Sequence, residues 1–384
     1  MKKDILQNFE RNLGYFFSNA LERPLTAPLW VYISLSHKCT YNCQMCGVVK
    51  ILNGFELPTG AVKSAIDQIK YWNSCPAIVL TGGEPFLRKD IFEIISYAAV
   101  NKIRIETVSN GSLIGEELAD KIIASGLSNI AVSLDGAIEE THDYIRQKGA
   151  FKNATQAIKW LTAAKKRRGC GPQISVWTTI MKENVSELSD IALLVKELGI
   201  DCLVYHPVIV AQDDMQNTSA DAHFWLRGKD IDILKRQIDE ILDFKKTYGL
   251  VEFLHDPYLW AEHFLGTLKI DAWKCNPFVF LNIGPDGEIR SCGASFGNMH
   301  KLGLDACLNT AEARQARAVM KNCPKPCLQT CWANPESDSL ARAVDSFISK
   351  INNANFSKEE KEGLLREALN RLSYYEKMVG EINA

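Results

Sequence analysis

Cys39, Cys43 and Cys46 lie in the stretch Ser36-His37-Lys38-Cys39-Thr40-Tyr41-Asn42-Cys43-Gln44-Met45-Cys46-Gly47, at a C-x3-C-x2-C spacing. One loop can fold thiolates so spaced around a single inorganic centre. A [4Fe-4S] cube has four irons, so three protein sulfurs leave one iron open to bind and activate something, whereas a fully ligated cluster mainly passes electrons. Zinc would require a fourth Cys or His at its own characteristic spacing, and His37 lies too close to Cys39 to supply it.

A second group of thiols lies late in the chain. Cys275 is followed by eleven residues, Gly287, four residues and Cys292, and then by Cys323, Cys327 and Cys331 at C-x3-C-x3-C. Residues 278–283 read as a strand, Pro285-Asp286-Gly287-Glu288 as a tight turn and 289–291 as the returning strand, which brings Cys275 and Cys292 to the same end. Residues 311–319 read as a helix before the last three cysteines. Thiols clustered this way in a large chain point to metal rather than disulfides, and a four-cysteine zinc site is one reading of them. Cys75, Cys170, Cys202 and Cys307 stand apart and read as small buried apolar residues.

The first cysteine loop resembles the hallmark motif of the radical S-adenosylmethionine (SAM) superfamily. That likeness implies a [4Fe-4S] cluster whose open iron chelates SAM, which is cleaved by one electron to a radical that takes hydrogen from the substrate. Thr81-Gly82-Gly83-Glu84-Pro85 looks like the family's GGE motif, whose backbone and carboxylate receive the SAM amino group. Ser109-Asn110-Gly111 is similar to a turn near the SAM ribose. By the same likeness Ser133 and Arg146 face the SAM carboxylate, although Arg146 also reads as a solvated charge at a helix end. The residue before the third cysteine is usually aromatic in the family; here Met45 must cover the adenine. The late group resembles the SPASM and twitch extensions, which hold auxiliary [4Fe-4S] clusters. Five thiols cannot close two cubes, so one auxiliary cluster is implied, held by Cys275, Cys292 and two of Cys323, Cys327 and Cys331.

These loops need a frame. Strand-like apolar runs at 30–35, 77–81, 103–108, 129–134, 173–180 and 201–206 alternate with helical segments near 59–72, 88–100, 115–125, 151–168 and 184–198. Buried strands joined by helical crossovers form a parallel sheet that curls toward a barrel, with its chemistry in the loops after the strands. The expected fold is α/β: a partial (β/α)6 TIM-like barrel with a small β-hairpin plus helix extension and a helical tail. We divide the chain into a helical lead-in at 1–28, the barrel at 29–210, a helical connector at 211–274, the auxiliary cluster region at 275–335 and a helical tail at 336–384. In the tail, Ser357 to Glu360 forms a capping box, and Leu364, Leu365, Ala368, Leu369, Leu372 and Met378 make an apolar stripe for the body of the protein or for a homodimer partner.

The 384 residues carry 46% hydrophobic and 23% charged side chains with a net charge of -2, which disfavours binding to nucleic acid or anionic lipid. No apolar run is long enough to span a membrane, so a cytoplasmic enzyme is expected. The reading is a radical SAM enzyme that modifies a peptide or small natural product by oxidation, epimerisation or cross-linking, reduced by a donor such as flavodoxin or ferredoxin. With 38 residues before Cys39, a peptide substrate would need a separate recognition protein or none. The competing reading is a non-enzymatic iron-sulfur electron carrier or a zinc-stabilised protein.

Overall fold

The structure, a computed structural model, describes residues 1–48, 54–72, 76–208, 223–268, 275–292, 294–322, 328 and 339–383. Cys75, Cys323, Cys327 and Cys331 lie outside the described residues. The chain opens with α1 (Lys2–Leu21). It then alternates β1 (Trp30–Ser34), α2 (Thr59–Ile69), β2 (Ala77–Thr81), α3 (Ile91–Val100), β3 (Ile105–Ser109), α4 (Glu116–Ala124) and β4 (Asn129–Ser133). A short α5 (Glu139–Ile145) precedes α6 (Ala150–Arg168), β5 (Gln173–Ile180), α7 (Leu188–Glu197) and β6 (Cys202–Pro207). Periodicity locates all six strands and five crossover helices; α5, only two turns long, is too short to show it.

β1 to β6 pair in sequence order, every pair parallel. β4, with Asn129-Ile130-Ala131-Val132-Ser133 buried throughout, has the double-sided burial that such a sheet requires. Isoleucine, valine and leucine from the sheet and from α2, α3, α4, α6 and α7 form one continuous core.

Beyond β6 the stretch expected to be a helical connector contains α8 (Lys229–Tyr248) and α9 (Leu259–Leu265), but also β7 (Val251–Phe253), which adds a seventh parallel strand next to β6. Three residues carry no alternation, so only pairing reveals it. The late hairpin, β8 (Phe280–Ile283) and β9 (Glu288–Ser291), is continued by an antiparallel β10 (Ala294–Asn298). β8 pairs in parallel with β1, so the ten strands among the described residues form one open sheet in the order β10-β9-β8-β1-β2-β3-β4-β5-β6-β7.

Short helices α10 (Met299–Leu302) and α11 (Leu304–Cys307) lead to α12 (Ala311–Lys321), and the tail forms α13 (Leu340–Asn353) and α14 (Lys358–Asn383). The capping box is formed: Ser357 N–H donates to Glu360 Oε2 at 2.7 Å and Glu360 N–H to Ser357 Oγ at 3.2 Å. The apolar stripe docks within the chain. Leu364 and Ala368 join Phe9, Leu13 and Phe17 of α1 and Phe347 of α13 in a second core, with Leu372 and Met378 against it, while Leu365 and Leu369 face solvent. Cys202 and Cys307 are buried as expected; Cys170 is exposed, because it sits just past the end of α6 where no element covers it. No helix among the described residues is long and apolar enough to cross a membrane.

Candidate active site

The carboxyl ends of β1 to β6 converge on one cavity of about 320 Å³. Cys39, Met45, Gly82, Glu84, Ser109 and Asn110 line it, and so do Cys43, Cys46, Gly83, Ser133 and Arg146. Every site residue expected from the barrel half of the sequence is therefore brought to one place.

The cysteine loop is tied to the ends of its neighbours by backbone bonds. Gly83 N–H donates to Ser36 O at 2.8 Å, Glu84 N–H to Lys38 O at 2.8 Å and Gln44 N–H to Ile145 O at 3.0 Å. This explains the two glycines differently from a ligand approaching them. A Cβ on Gly83 would fall on the Lys38 carbonyl and one on Gly82 on the Ser36 carbonyl, far inside the 3.0 Å that real Cβ atoms respect. Gly82 also adopts φ +114°, which favours glycine. The Gly-Gly pair is what lets the cysteine loop lie flat on the end of β2.

Glu84 is buried, with 2% of its surface exposed. Its Oε1 accepts from Ser109 Oγ at 2.9 Å and Phe86 N–H at 3.3 Å, and its Oε2 accepts from Asn110 N–H at 2.8 Å. Burial pushes its carboxyl upward, and the donated hydrogen bonds and Arg146 oppose that. Two carboxylate oxygens can accept about four bonds, so three partners leave capacity for a cation. Asn110 in turn donates through Nδ2 to Thr40 Oγ1 at 2.9 Å and to Cys39 Sγ at 3.5 Å. Ser109 and Asn110 thus hold Glu84 and the cysteine loop in register.

Arg146 caps α5 and is not the solvated helix-end charge that its sequence position also allowed. Its side chain is 10% exposed and pairs through Nε with Asp135 Oδ2 at 2.6 Å; Asp135 is fully buried. Burial alone would pull the guanidinium down, but the Asp135 carboxylate holds it up; Cys43 Sγ lies 4.0 Å from Nη1. Asp135 is itself braced by Thr179 N–H at 2.8 Å, while its own N–H donates to His142 Nδ1 at 2.9 Å. Burial pushes the Cys43 thiol up to about 11, with Arg146 pulling the other way, and raises Cys39 as well. Such thiols stay protonated until a metal displaces the proton.

Asp135 and His142 lie in stretches whose sequence resembles the family's auxiliary-cluster branch but were given no role there, and Thr179 and His206 were not singled out by sequence. Thr179 and His206 stand near the ends of β5 and β6, and the rule that parallel barrels work at their strand ends was a signal available for both. His142 is buried, its Nε2 has no partner among the described residues, and burial lowers its pKa from 6.5 to about 4. The unfolded chain therefore takes up this proton first as pH falls. Stability from a neutral His142 is complete above about pH 6.5 and lost between there and about pH 4, on the order of 2 kcal/mol by pH 5. His142→Gln should accordingly lose less thermal stability than the wild type between pH 7.5 and pH 5, measured on cluster-free protein; an equal loss would contradict this account.

Cys275 and Cys292 both pack, as Tyr32 does, against the cluster of Phe280 and Met320, on the β8 side of the sheet. Leu328, within the last cysteine segment, is buried, and its carbonyl lies 3.1 Å from His255 Nε2, beyond β7.

Comparison with known proteins bears on what this arrangement does. Residues 33–195 match the family model described as the radical SAM superfamily. The AdoMet-dependent heme synthase of Methanosarcina barkeri is 34% identical over 183 residues, 47% of this chain and 50% of that protein. The mycofactocin maturase MftC of Mycobacterium tuberculosis is 32% identical over 179 residues, 46% of this chain and 44% of that protein. The chain thus spans about half the length of these curated relatives. Native anSMEcpe with bound AdoMet and Cp18Cys peptide shares the fold at a TM-score of 0.61 and 16% identity, covering 89% of this chain and 99% of that one.

Proposed function

We propose that the chain, whose residues 33–195 match the radical SAM superfamily model, uses a [4Fe-4S] cluster and SAM as cofactors and cleaves SAM reductively to modify a peptide or small natural product at carbon. The observation that carries this reading is the convergence of three thiols, a buried carboxylate and a buried guanidinium on one cavity at the carboxyl ends of the strands. The chemistry of the donors fits a cluster with one open iron: three thiols of one loop line a cavity the size of a small-ligand site. When bound, the cluster and SAM supply a radical able to remove hydrogen from the substrate.

The chain's own residues have separable roles in this reading. Cys39, Cys43 and Cys46 hold the cluster. Glu84 takes the SAM ammonium with its remaining acceptor capacity, and Ser109 and Asn110 aim it. Arg146, kept in the cavity wall by Asp135, meets the SAM carboxylate with Ser133 beside it, and Met45 covers the adenine. An alternative in which the protein only ferries electrons has no use for Glu84 and Arg146 in the cavity. Glu84→Ala should weaken SAM binding by about 1.5 to 3 kcal/mol while leaving iron content unchanged. Unaltered SAM affinity would reduce this motif to an ordinary strand-to-helix turn.

Cys275 and Cys292, with two of Cys323, Cys327 and Cys331, would close one auxiliary [4Fe-4S] cluster, and the packing of Cys275 and Cys292 against one apolar cluster supports this. That cluster would take up the electron left on the substrate or relay one, with flavodoxin or ferredoxin as the reductant. A peptide substrate is favoured by the peptide bound to the structural neighbour, and a tetrapyrrole-like small molecule by the heme synthase relative. Anaerobic reconstitution should give about eight irons per chain, falling to about four when Cys39, Cys43 and Cys46 are replaced. A count near four with one zinc would instead make the late group structural.

A further inference from the structure

Arg317 on α12 is 4% exposed, yet no carboxylate faces it among the described residues. Two aromatic rings lie against it: the guanidinium carbon is 4.7 Å from the ring centre of Phe278 and 4.9 Å from that of Phe296. Its edge is only partly paired. Nη2 donates to Leu308 O at 2.6 Å, but Nε and Nη1 are buried with no acceptor among the described residues. Aromatic faces attract the charge but accept nothing from in-plane N–H groups, so a guanidinium packed this way still needs an acceptor at its edge. Burial lowers its pKa only to about 10, which leaves it charged at neutral pH.

Arg317 also lines a cleft between the end of α1 and α12, together with Asn19, Glu22, Arg314 and Lys321. Three cations face one carboxylate there, and Glu22 is 3.7 Å from Lys321. The Asn19 side chain also has a buried Oδ1 without a partner among the described residues; turning its amide over would present the NH2 to the cleft instead. The free space, about 10 Å³, admits one water-sized group. A phosphate or nucleotide is too large. A neutral water would satisfy hydrogen bonds but leave the buried charge uncompensated.

We propose that this cleft binds one small monatomic anion, chloride, which completes the edge of Arg317 and clamps α12 against Phe278 and Phe296. Phe278 stands three residues after Cys275, and α12 ends two residues before Cys323. The anion therefore joins the two arms that carry the late cysteines, whatever metal those cysteines hold. The inference rests on no part of the proposed reaction.

The test is chlorine-35 NMR line broadening on the full chain in gluconate buffer, titrated with chloride and then competed with formate. Saturable excess broadening is expected in the wild type and lost in Arg317→Met. Formate should fail to displace chloride, because three heavy atoms exceed the space; displacement would overturn the assignment of a monatomic site. In gluconate alone Arg317→Met should melt no lower than the wild type, because it removes an uncompensated charge, and chloride should reverse that order. If Arg317→Met does not fold, the exposed double variant Arg314→Gln/Lys321→Gln should bind chloride several-fold more weakly. Broadening that rises linearly in the wild type, or saturates identically in every folded variant, overturns the proposal.

Discussion

Replacing Cys39, Cys43 and Cys46 together by alanine is expected to reduce formation of 5′-deoxyadenosine from SAM to background, remove about four irons per chain and leave the barrel folded. The last part follows from where the thiols sit. Cys39, Cys43 and Cys46 pack in a small cluster with Tyr41, Met45 and Ala150, separate from the main core of sheet and helices. A cluster held there completes a site on a preformed scaffold rather than stapling it. Circular dichroism and thermal melting of the cluster-free wild type and variant should therefore nearly coincide. Residual SAM cleavage in the variant would refute the central assignment, and collapse of the fold would show that the loop carries stability we assign to the core.

Gly83→Ala is expected to cost roughly 100-fold or more in SAM cleavage, although it removes no ligand and adds only a methyl group. The new Cβ would meet the Lys38 carbonyl, a backbone atom that cannot swing aside. Relief requires the cysteine loop and the end of β2 to part by about 1 Å, and misplacing reacting groups by that distance costs on the order of a hundredfold. The Glu84 N–H bond to Lys38 O and the Gly83 N–H bond to Ser36 O would be lost with it. The readouts are iron content after reconstitution and the rate of 5′-deoxyadenosine release. Near-normal values for both would mean that the loop tolerates a shift, and that the glycines serve the local turn rather than the docking of the cysteine loop.

Much of the site was legible before any coordinates because its parts are local. Three sulfurs within one short loop need no tertiary information to be grouped, and Gly82-Gly83-Glu84 directly follows a strand recognisable by its own apolar run. The strands and crossover helices were equally legible, since hydrophobic periodicity is a property of neighbouring residues. The parallel barrel then placed every strand end on one face.

What only the tertiary structure decided depends on residues far apart in the chain. Arg146 read equally well as a solvated charge; a buried Asp135 eleven residues earlier makes it a wall of the cavity. The Gly-Gly pair was legible as a close approach, but that the approaching group is the cysteine loop itself required the contact between residues 36–38 and 82–84. β7 is too short to alternate, and the pairing of β8 with β1 joins segments some 250 residues apart, so neither leaves a local trace. The tail stripe could have met any apolar surface; it meets α1, at the opposite end of the sequence, because that helix exposes a matching face of Phe9, Leu13 and Phe17. Composition and spacing state what chemistry a chain can perform, while burial and charge pairing, which arise only on folding, decide which side chains are held where that chemistry can occur.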